Sequence, residues 1–436
     1  MVNTGSLITD KDISSLLYKV NQIACFLMCM WVAIPYFRVR LGVVFLLLMF
    51  GVWLLTTDLK WLTRKLTLDL IFVLLFFITF IPYIITGNLQ YGLSGPNVII
   101  VNFSIFFVGI FINHYYMYYK RDYVVVGRIA LFSLVFFTVG STQTYLGLLE
   151  YPLASRELAA GSTVSLENSS VYSQLGIGGF GHIYSASFLL IAILYLIFKK
   201  NPGFTMKYRI LVFISITSIF LMLIQASYAI SLIIVILGLL LVLFAKNKIT
   251  FISLLIVGVC LLLLIPQSLI GEWLLVIADI FSANEILNQK FTDLAFGFLN
   301  NAASGQTAGR LSLYLISLQT FLDNPFFGIY GPFGNPFSGA VGGHSGWLDL
   351  LGFYGLFTVI PLLFIFYFNF KKHAGFYRKC NFHGTIITVY FLVLIFGTLN
   401  PILYVYEIGF VLFCVIPGIP FIAYAFNKRE LGPNLH

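Results

Sequence analysis

GRLSLYLISLQTFLDNPFFGIYGPFGNPFSGAVGGHSGWLDLLGFYGLF, residues Gly309 to Phe357, decides how this chain is read. It starts with Arg310 in the first turn of an expected helix over 310–322, which ends at Asp323-Asn324-Pro325. A loop rich in Gly and Pro follows, then His344 and Ser345, then an apolar run long enough to enter a bilayer. An arginine and a histidine thus bracket one loop beside a hydrophobic segment, in a chain where charge is scarce.

How scarce is plain from the rest of the sequence. Of 436 residues, 60% are hydrophobic and only 9% charged, and the mean hydropathy is +0.97. A soluble domain carries about a quarter charged residues, so the solvent for most of this chain must be lipid. A hydrocarbon core takes roughly 20 apolar residues per helix. Spans are expected near 17–36, 41–57, 68–86, 97–116, 129–149, 182–198, 210–226, 229–245, 250–266, 346–370, 384–400 and 403–426, twelve in all. The chain then divides into nine spans over 1–266 with an outer loop at 150–181, a large outer loop at 267–345, and three spans over 346–436. Short helices are expected within the large loop, around 270–282 and 284–299.

With the N-terminus in the cytoplasm, alternation leaves only five of the 25 Lys and Arg outside: Arg38, Arg40, Arg156, Lys290 and Arg310. That asymmetry puts both termini inside and accounts for the net charge of +9 without nucleic acid. The polar N-terminus lacks the apolar core of a cleaved signal peptide. Four cysteines, Cys25, Cys29, Cys260 and Cys414, lie in apolar runs and Cys380 in a basic loop, with no exposed pair for a disulfide or zinc.

Several polar residues at the outer boundary are candidates for chemistry. Arg310 and Arg156 offer planar forks suited to a phosphate or diphosphate. Each could instead snorkel to headgroups, or pair with Asp323 or Glu157. Near a helix N-terminus, Arg310 would be joined by main-chain donors. His344, in Gly342-Gly343-His344-Ser345-Gly346, can accept a proton from an attacking hydroxyl, or can be an interfacial histidine bonded to a carbonyl. His182, after Gly178-Gly179-Phe180-Gly181, reads either as a capping or packing residue or as a catalytic one. The acidic residues of the spans are Asp349 and Glu407, both near the outer surface. Glu407 can contact an acceptor sugar or pair with an outer arginine. Tyr404, Tyr406 and other span-end tyrosines suit the interfacial belt, and a few could stack on sugar rings.

The sequence has no phosphate-binding Gly-rich loop with lysine, no HExxH and no outer acidic pair for a divalent ion. No cofactor or metal is therefore expected. There is also no internal repeat of the kind many transporters show.

Together these residues resemble the O-antigen ligase/polymerase family (Wzy- and WaaL-type proteins). Gly309-Arg310, then Asn324-Pro325-Phe326-Phe327-Gly328-Ile329, then Gly343-His344-Ser345 before Leu348, Leu351, Gly352 and Gly355, are similar to its arginine-led helix, "nPlxGxG" loop and histidine-led helix. Gly181-His182-Ile183-Tyr184 is similar to a "GxxHPN" entrance without its Pro and Asn. Ile224-Gln225-Ala226-Ser227-Tyr228 is similar to a "tSR" hairpin with Tyr228 where arginine is usual, which hands a phosphate contact to Arg156.

The resemblance implies an all-α, GT-C-like membrane protein that acts as a metal-independent glycosyltransferase on the outer face of the bacterial cytoplasmic membrane. Its substrates would be undecaprenyl-diphosphate-linked oligosaccharides, donor and acceptor, polymerised into O-antigen or capsular polysaccharide. A chain-length regulator and a flippase would be its partners. His344 becomes the base and Arg310 the diphosphate clamp, with Arg156, His182, Tyr228, Ser345 and Glu407 as binding-site residues. A ligase transferring glycan to lipid A core is the nearest alternative. A lipid-linked oligosaccharide flippase, which would need polar residues deep in the spans, is an alternative of another class.

Overall fold

The computed structural model describes residues 10–64, 67–82, 96–160, 166–198, 206–244, 267–299, 305–329 and 341–425, with 250, 252, 253 and 256. Among these residues the protein is all-helical, without a strand. The helices run in order: α1 (Asp10–Ala33), α2 (Pro35–Thr56), α3 (Lys60–Arg64), α4 (Leu68–Thr79), α5 (Pro96–Asn113), α6 (Tyr123–Glu150), α7 (Ala154–Ala160), α8 (Leu166–Gln174) and α9 (Phe180–Phe198). Then come α10 (Met206–Gln225), α11 (Ala229–Phe244), α12 (Gln267–Ile280), α13 (Glu285–Leu299), α14 (Gly305–Asp323), α15 (Gly346–Phe376), α16 (His383–Leu399) and α17 (Tyr406–Phe410). α5 continues into a π-helical segment, His114–Lys120, and α17 into another, Val411–Val415.

Eight helices among the described residues are long and apolar enough to cross a membrane. They correspond to eight of the expected spans. Three others, 68–86, 229–245 and 384–400, are represented by shorter apolar helices. The shortest, α4, has 12 residues, about 18 Å at 1.5 Å per residue, against a hydrocarbon core of about 30 Å. The expected span at 250–266 lies largely outside the described residues.

The helices differ in what they face. The apolar window of the C-terminal helix, Tyr406–Ala423, is 89% buried, whereas that of α2 is 11% buried. The first is therefore the centre of the bundle, packed on α5 and α9, and the second is its rim. Val44, Leu48 and Leu55 stand exposed on α2, as side chains meeting acyl chains would. Two ion pairs cross between helices, the first tying rim to centre. Arg38 of α2 bonds Glu407 of α17. Lys372 of α15 lies 2.8 Å from Asp69 of α4 and 2.9 Å from Nδ1 of His114. Asp69 thus joins Asp349 and Glu407 as an acidic residue within an apolar segment, which the sequence reading overlooked.

α15 is broken at Gly355, where φ is 62° and ψ −171°, a conformation essentially reserved for glycine. The segment Pro325–Ile329, which follows α14, runs across that break. Leu356 and Phe357 donate to the carbonyls of Pro325 and Phe326 at 2.9 and 3.0 Å, and Ile329 donates to Gly352 at 3.1 Å. The Asn-Pro-Phe-Phe-Gly motif is therefore a clip that satisfies backbone groups freed by the break. It fastens α14 to α15, and so fixes Arg310 relative to His344.

Candidate functional site

One end of the bundle collects the C-terminal ends of α6, α10 and α16 and the starts of α9, α11, α15 and α17. A cavity of about 610 Å³ opens there. That volume falls within the range of about 300–1,000 Å³ typical of small-molecule sites. Its wall includes Arg156 of α7, Lys290 and Asp293 of α13, Arg310 of α14, and His344 before α15. Phe180, Tyr184, Tyr228 and Tyr404 give it an aromatic side. Four sequence-expected site residues, Arg156, Tyr228, Arg310 and His344, are thus brought together from separate elements.

Arg156 is held by the turn between α10 and α11. Its Nη2 donates to the carbonyl of Ser227, and its guanidinium lies 5.4 Å from the Tyr228 ring centroid. Ser227 occupies the left-handed region with φ 59°, which turns its carbonyl toward the arginine. Tyr228 donates its hydroxyl to the Ser155 carbonyl at 3.0 Å and packs against Phe180 and Tyr184. Burial pulls the Arg156 guanidinium below its usual range; Tyr228 and Tyr184 oppose that, and Arg310 adds to it. Neither Glu157 nor another carboxylate forms an ion pair with it among the described residues. Its Nε has no hydrogen-bond partner among the described residues.

α13 forms an antiparallel hairpin with α12 and is pinned at its start. Asn284 caps it by accepting from Leu287 N at 3.1 Å, and the same side chain exchanges hydrogen bonds with the Ser227 hydroxyl. That pin orients one face of α13, bearing Lys290, Asp293 and Leu294 at i, i+3 and i+4, over the cavity. Lys290 is pushed down to about 8, by burial first and then by Arg156 and Arg310, with Asp293 opposing.

α14 begins at Gly305, so Arg310 lies in its second turn, not its first. The main-chain donors expected beside Arg310 are therefore already engaged within the helix. Arg310 instead bonds the Tyr314 side chain one turn on, and the Tyr314 hydroxyl donates to the Leu399 carbonyl at 2.9 Å.

His344 is exposed to the cavity on a loop tied from behind through the N–H groups of the residues that flank it. Asp349 accepts from Gly343 N and Ser345 N at 3.2 and 2.8 Å, and Gly342 N donates to the Ser317 hydroxyl at 2.9 Å. Partial burial and the positive charge of Arg310 hold the His344 imidazole below its ordinary value. It is therefore neutral near pH 7 and can accept a proton.

Three expected binding residues are not brought to the cavity. His182 is fully buried, stacked on Phe137 with centroids 5.4 Å apart, and neither ring nitrogen finds a partner among the described residues. Phe180 and Tyr184, one turn apart, face the cavity, and a residue midway between them on a helix must point away. The packing reading of His182 is the one the structure supports. Ser345 is buried and caps α15, accepting from Leu348 N at 3.2 Å. Glu407 is 4% exposed and committed to Arg38, with Gly181 packed against its carboxylate.

Beyond Lys290 and Asp293, the sequence reading also missed Asn400. This residue of the α16–α17 turn lines the cavity, and its buried Nδ2 has no partner among the described residues. No group of three or more His, Cys, Asp or Glu converges among the described residues. No protein-family model matches the chain, and no curated protein matches it in sequence.

Proposed function

We propose that the protein is a membrane glycosyltransferase that joins undecaprenyl-diphosphate-linked oligosaccharide repeat units into O-antigen or capsular polysaccharide. In this reading twelve spans in a GT-C-like arrangement cross the bacterial cytoplasmic membrane. Both termini are cytoplasmic and the cavity opens on the outer face. The observation that carries the proposal is the convergence of Arg156, Arg310 and His344 on one aromatic-walled cavity at the end of an apolar bundle. The family resemblance of the segments bearing those residues supports the same reading.

The chemistry fits those side chains. An acceptor hydroxyl attacks the anomeric carbon of the donor sugar, and a new C–O bond forms. The bond from that carbon to the diphosphate oxygen breaks, and the electron pair leaves with the prenyl diphosphate. The hydroxyl proton passes to the neutral imidazole of His344. Arg310 and Arg156 meet the charge that develops on the leaving diphosphate. Phe180, Tyr184 and Tyr404 present ring surface to the sugars, and the surrounding apolar helices accommodate the prenyl chain.

The test is incubation of the purified protein with a lipid-linked repeat unit. A ladder of longer glycans is expected. Transfer only to a lipid A core would make the protein a ligase. Movement of the unchanged substrate across a bilayer, without extension, would make it a transporter.

A further inference from the structure

One cation in the cavity wall has no part in the chemistry above. Lys290 is half-buried on α13, yet the other cations sharing its cavity, Arg156 and Arg310, repel it. Among the described residues, Asp293 is the one carboxylate lining the cavity. Three formal positive charges from three separate helices, α7, α13 and α14, thus face one negative charge. Bringing like charges together in a partly desolvated wall is unfavourable unless something anionic enters between them. A solvated helix face does not account for the arrangement, because each cation comes from a different element and the pin at Asn284 and Ser227 holds two of those elements in place. The same wall holds two donors without partners among the described residues, Arg156 Nε and Asn400 Nδ2.

We propose that Lys290 is the third cationic contact for the diphosphate group of the lipid-linked substrate, completing the receptor that Arg156 and Arg310 begin. This inference rests on the reading of the cavity as a diphosphate site. The two arginines contribute fixed planar forks, whereas the ammonium is a movable point charge that follows the diphosphate as its charge shifts to the leaving oxygen.

Because a lysine near 8 loses its proton within an accessible range, substrate binding acquires an alkaline limit. The sign follows from charge: binding is strongest with Lys290 protonated and weakens as pH rises through about 8. The groups around it differ from it in kind. Arg156 and Arg310 are guanidiniums and Asp293 a carboxylate. His344 is already neutral there, and burial pushes the Tyr228 phenol above its ordinary value. On α12, packed against α13, Glu272 and Asp279 are exposed.

The experiment uses the full chain in lipid nanodiscs. The probe is a P1,P2-diester of diphosphate with one farnesyl and one methyl group, whose two charges are constant through neutral and alkaline pH. Lys290→Gln should weaken binding on the order of tenfold at neutral pH, the scale of one hydrogen bond to a charged group. It should also flatten the alkaline fall that the wild type shows. Lys290→Arg should keep the neutral-pH affinity and likewise lose the fall, which separates the charge from any folding defect of the Gln variant. Wild-type affinity and an unchanged alkaline fall in Lys290→Gln would overturn the proposal. If Arg310→Gln then still weakens binding, only the role of Lys290 is lost. If Arg310→Gln is also without effect, the diphosphate reading itself fails.

Discussion

The carboxylate of Asp349 accepts a 2.6 Å hydrogen bond from the hydroxyl of Ser317, joining the first turn of α15 to the middle of α14. The same carboxylate takes the backbone N–H groups of Gly343 and Ser345, on either side of His344. Ser317 in turn accepts from Gly342. One buried acid and one buried hydroxyl thus fix the loop that carries the proposed base. Asp349→Ala strands the N–H groups of Gly343 and Ser345, at about 1–3 kcal/mol for each left unsatisfied, and leaves the Ser317 hydroxyl only its longer bond to the Leu313 carbonyl. The expected outcome is lower thermal stability in detergent and glycan extension reduced toward the level of His344→Ala. Asp349→Asn keeps a carbonyl acceptor and should fall between. Full activity in Asp349→Ala would detach this network from catalysis.

His344→Ala should abolish chain extension while the protein still inserts, and the loss should be at least about 100-fold, the lower range for a positioned base. The pH dependence carries more information. A base works in its unprotonated form, and enclosure together with Arg310 lowers the His344 pKa from 6.5. The acid limb of the rate profile should therefore lie below 6.5, and activity should persist at a pH where an ordinary imidazole is already protonated. Replacing Arg310 by Gln, if residual turnover can be followed, should move that limb upward. Polymer of normal length from the His344→Ala protein would remove the histidine from the mechanism.

Arg310→Lys keeps the charge and loses the fork. The guanidinium also bonds the Tyr314 side chain, which a shorter set of donors cannot do while holding a diphosphate in two places. Turnover with a lipid-linked repeat unit should drop by about 10- to 100-fold, the scale of one lost charge-assisted hydrogen bond. Thermal stability should change little. Undiminished turnover would count against a bidentate clamp.

Much of this geometry was legible in the sequence, because hydropathy reports partition into lipid directly and alternation then dictates which loops share an end. Arg156, Tyr228, Arg310 and His344 lie in segments more than a hundred residues apart at the extremes, yet all fall at loops on one side of the bundle. Fine orientation was not legible in the same way. His182 is two residues from Phe180 and two from Tyr184, and only the rotation of α9 decides which of them meets the cavity. Lys290 carried a weak signal, as one of five outer cations, but the fold of the α12–α13 hairpin places it. Glu407 had two candidate partners, a sugar or an arginine; the approach of α2 to α17 settles its contact as Arg38.

That contact makes a distinct prediction. Glu407→Gln leaves the partly buried Arg38 guanidinium without its counter-charge, at a cost of about 1–3 kcal/mol. The variant should unfold at lower temperature. The double change Arg38→Met with Glu407→Leu, which removes both charges, should recover most of that loss. Thermal unfolding of the singles and the double gives the coupling. A raised KM for acceptor with unchanged stability would instead mark Glu407 as a sugar contact.

Gly355 allows a comparison within one helix. Its φ of 62° and ψ of −171° suit glycine alone, and a Cβ there would collide with the Phe326 carbonyl of the clip. Gly355→Ala therefore meets backbone strain of about 1–3 kcal/mol before any steric term. Gly375, later in the same helix, has nothing within 4 Å of where a Cβ would sit. Gly375→Ala should be neutral or stabilising by roughly 0.5–1 kcal/mol, since alanine is the better helix former. Thermal unfolding of the two variants should move in opposite directions or differ widely. Because the clip also sets α14 against α15, Gly355→Ala should further lower glycan extension by displacing Arg310 from His344, while Gly375→Ala should leave it intact. Equal behaviour of the two variants would mean that the break in α15 is not held by the Pro325–Ile329 segment.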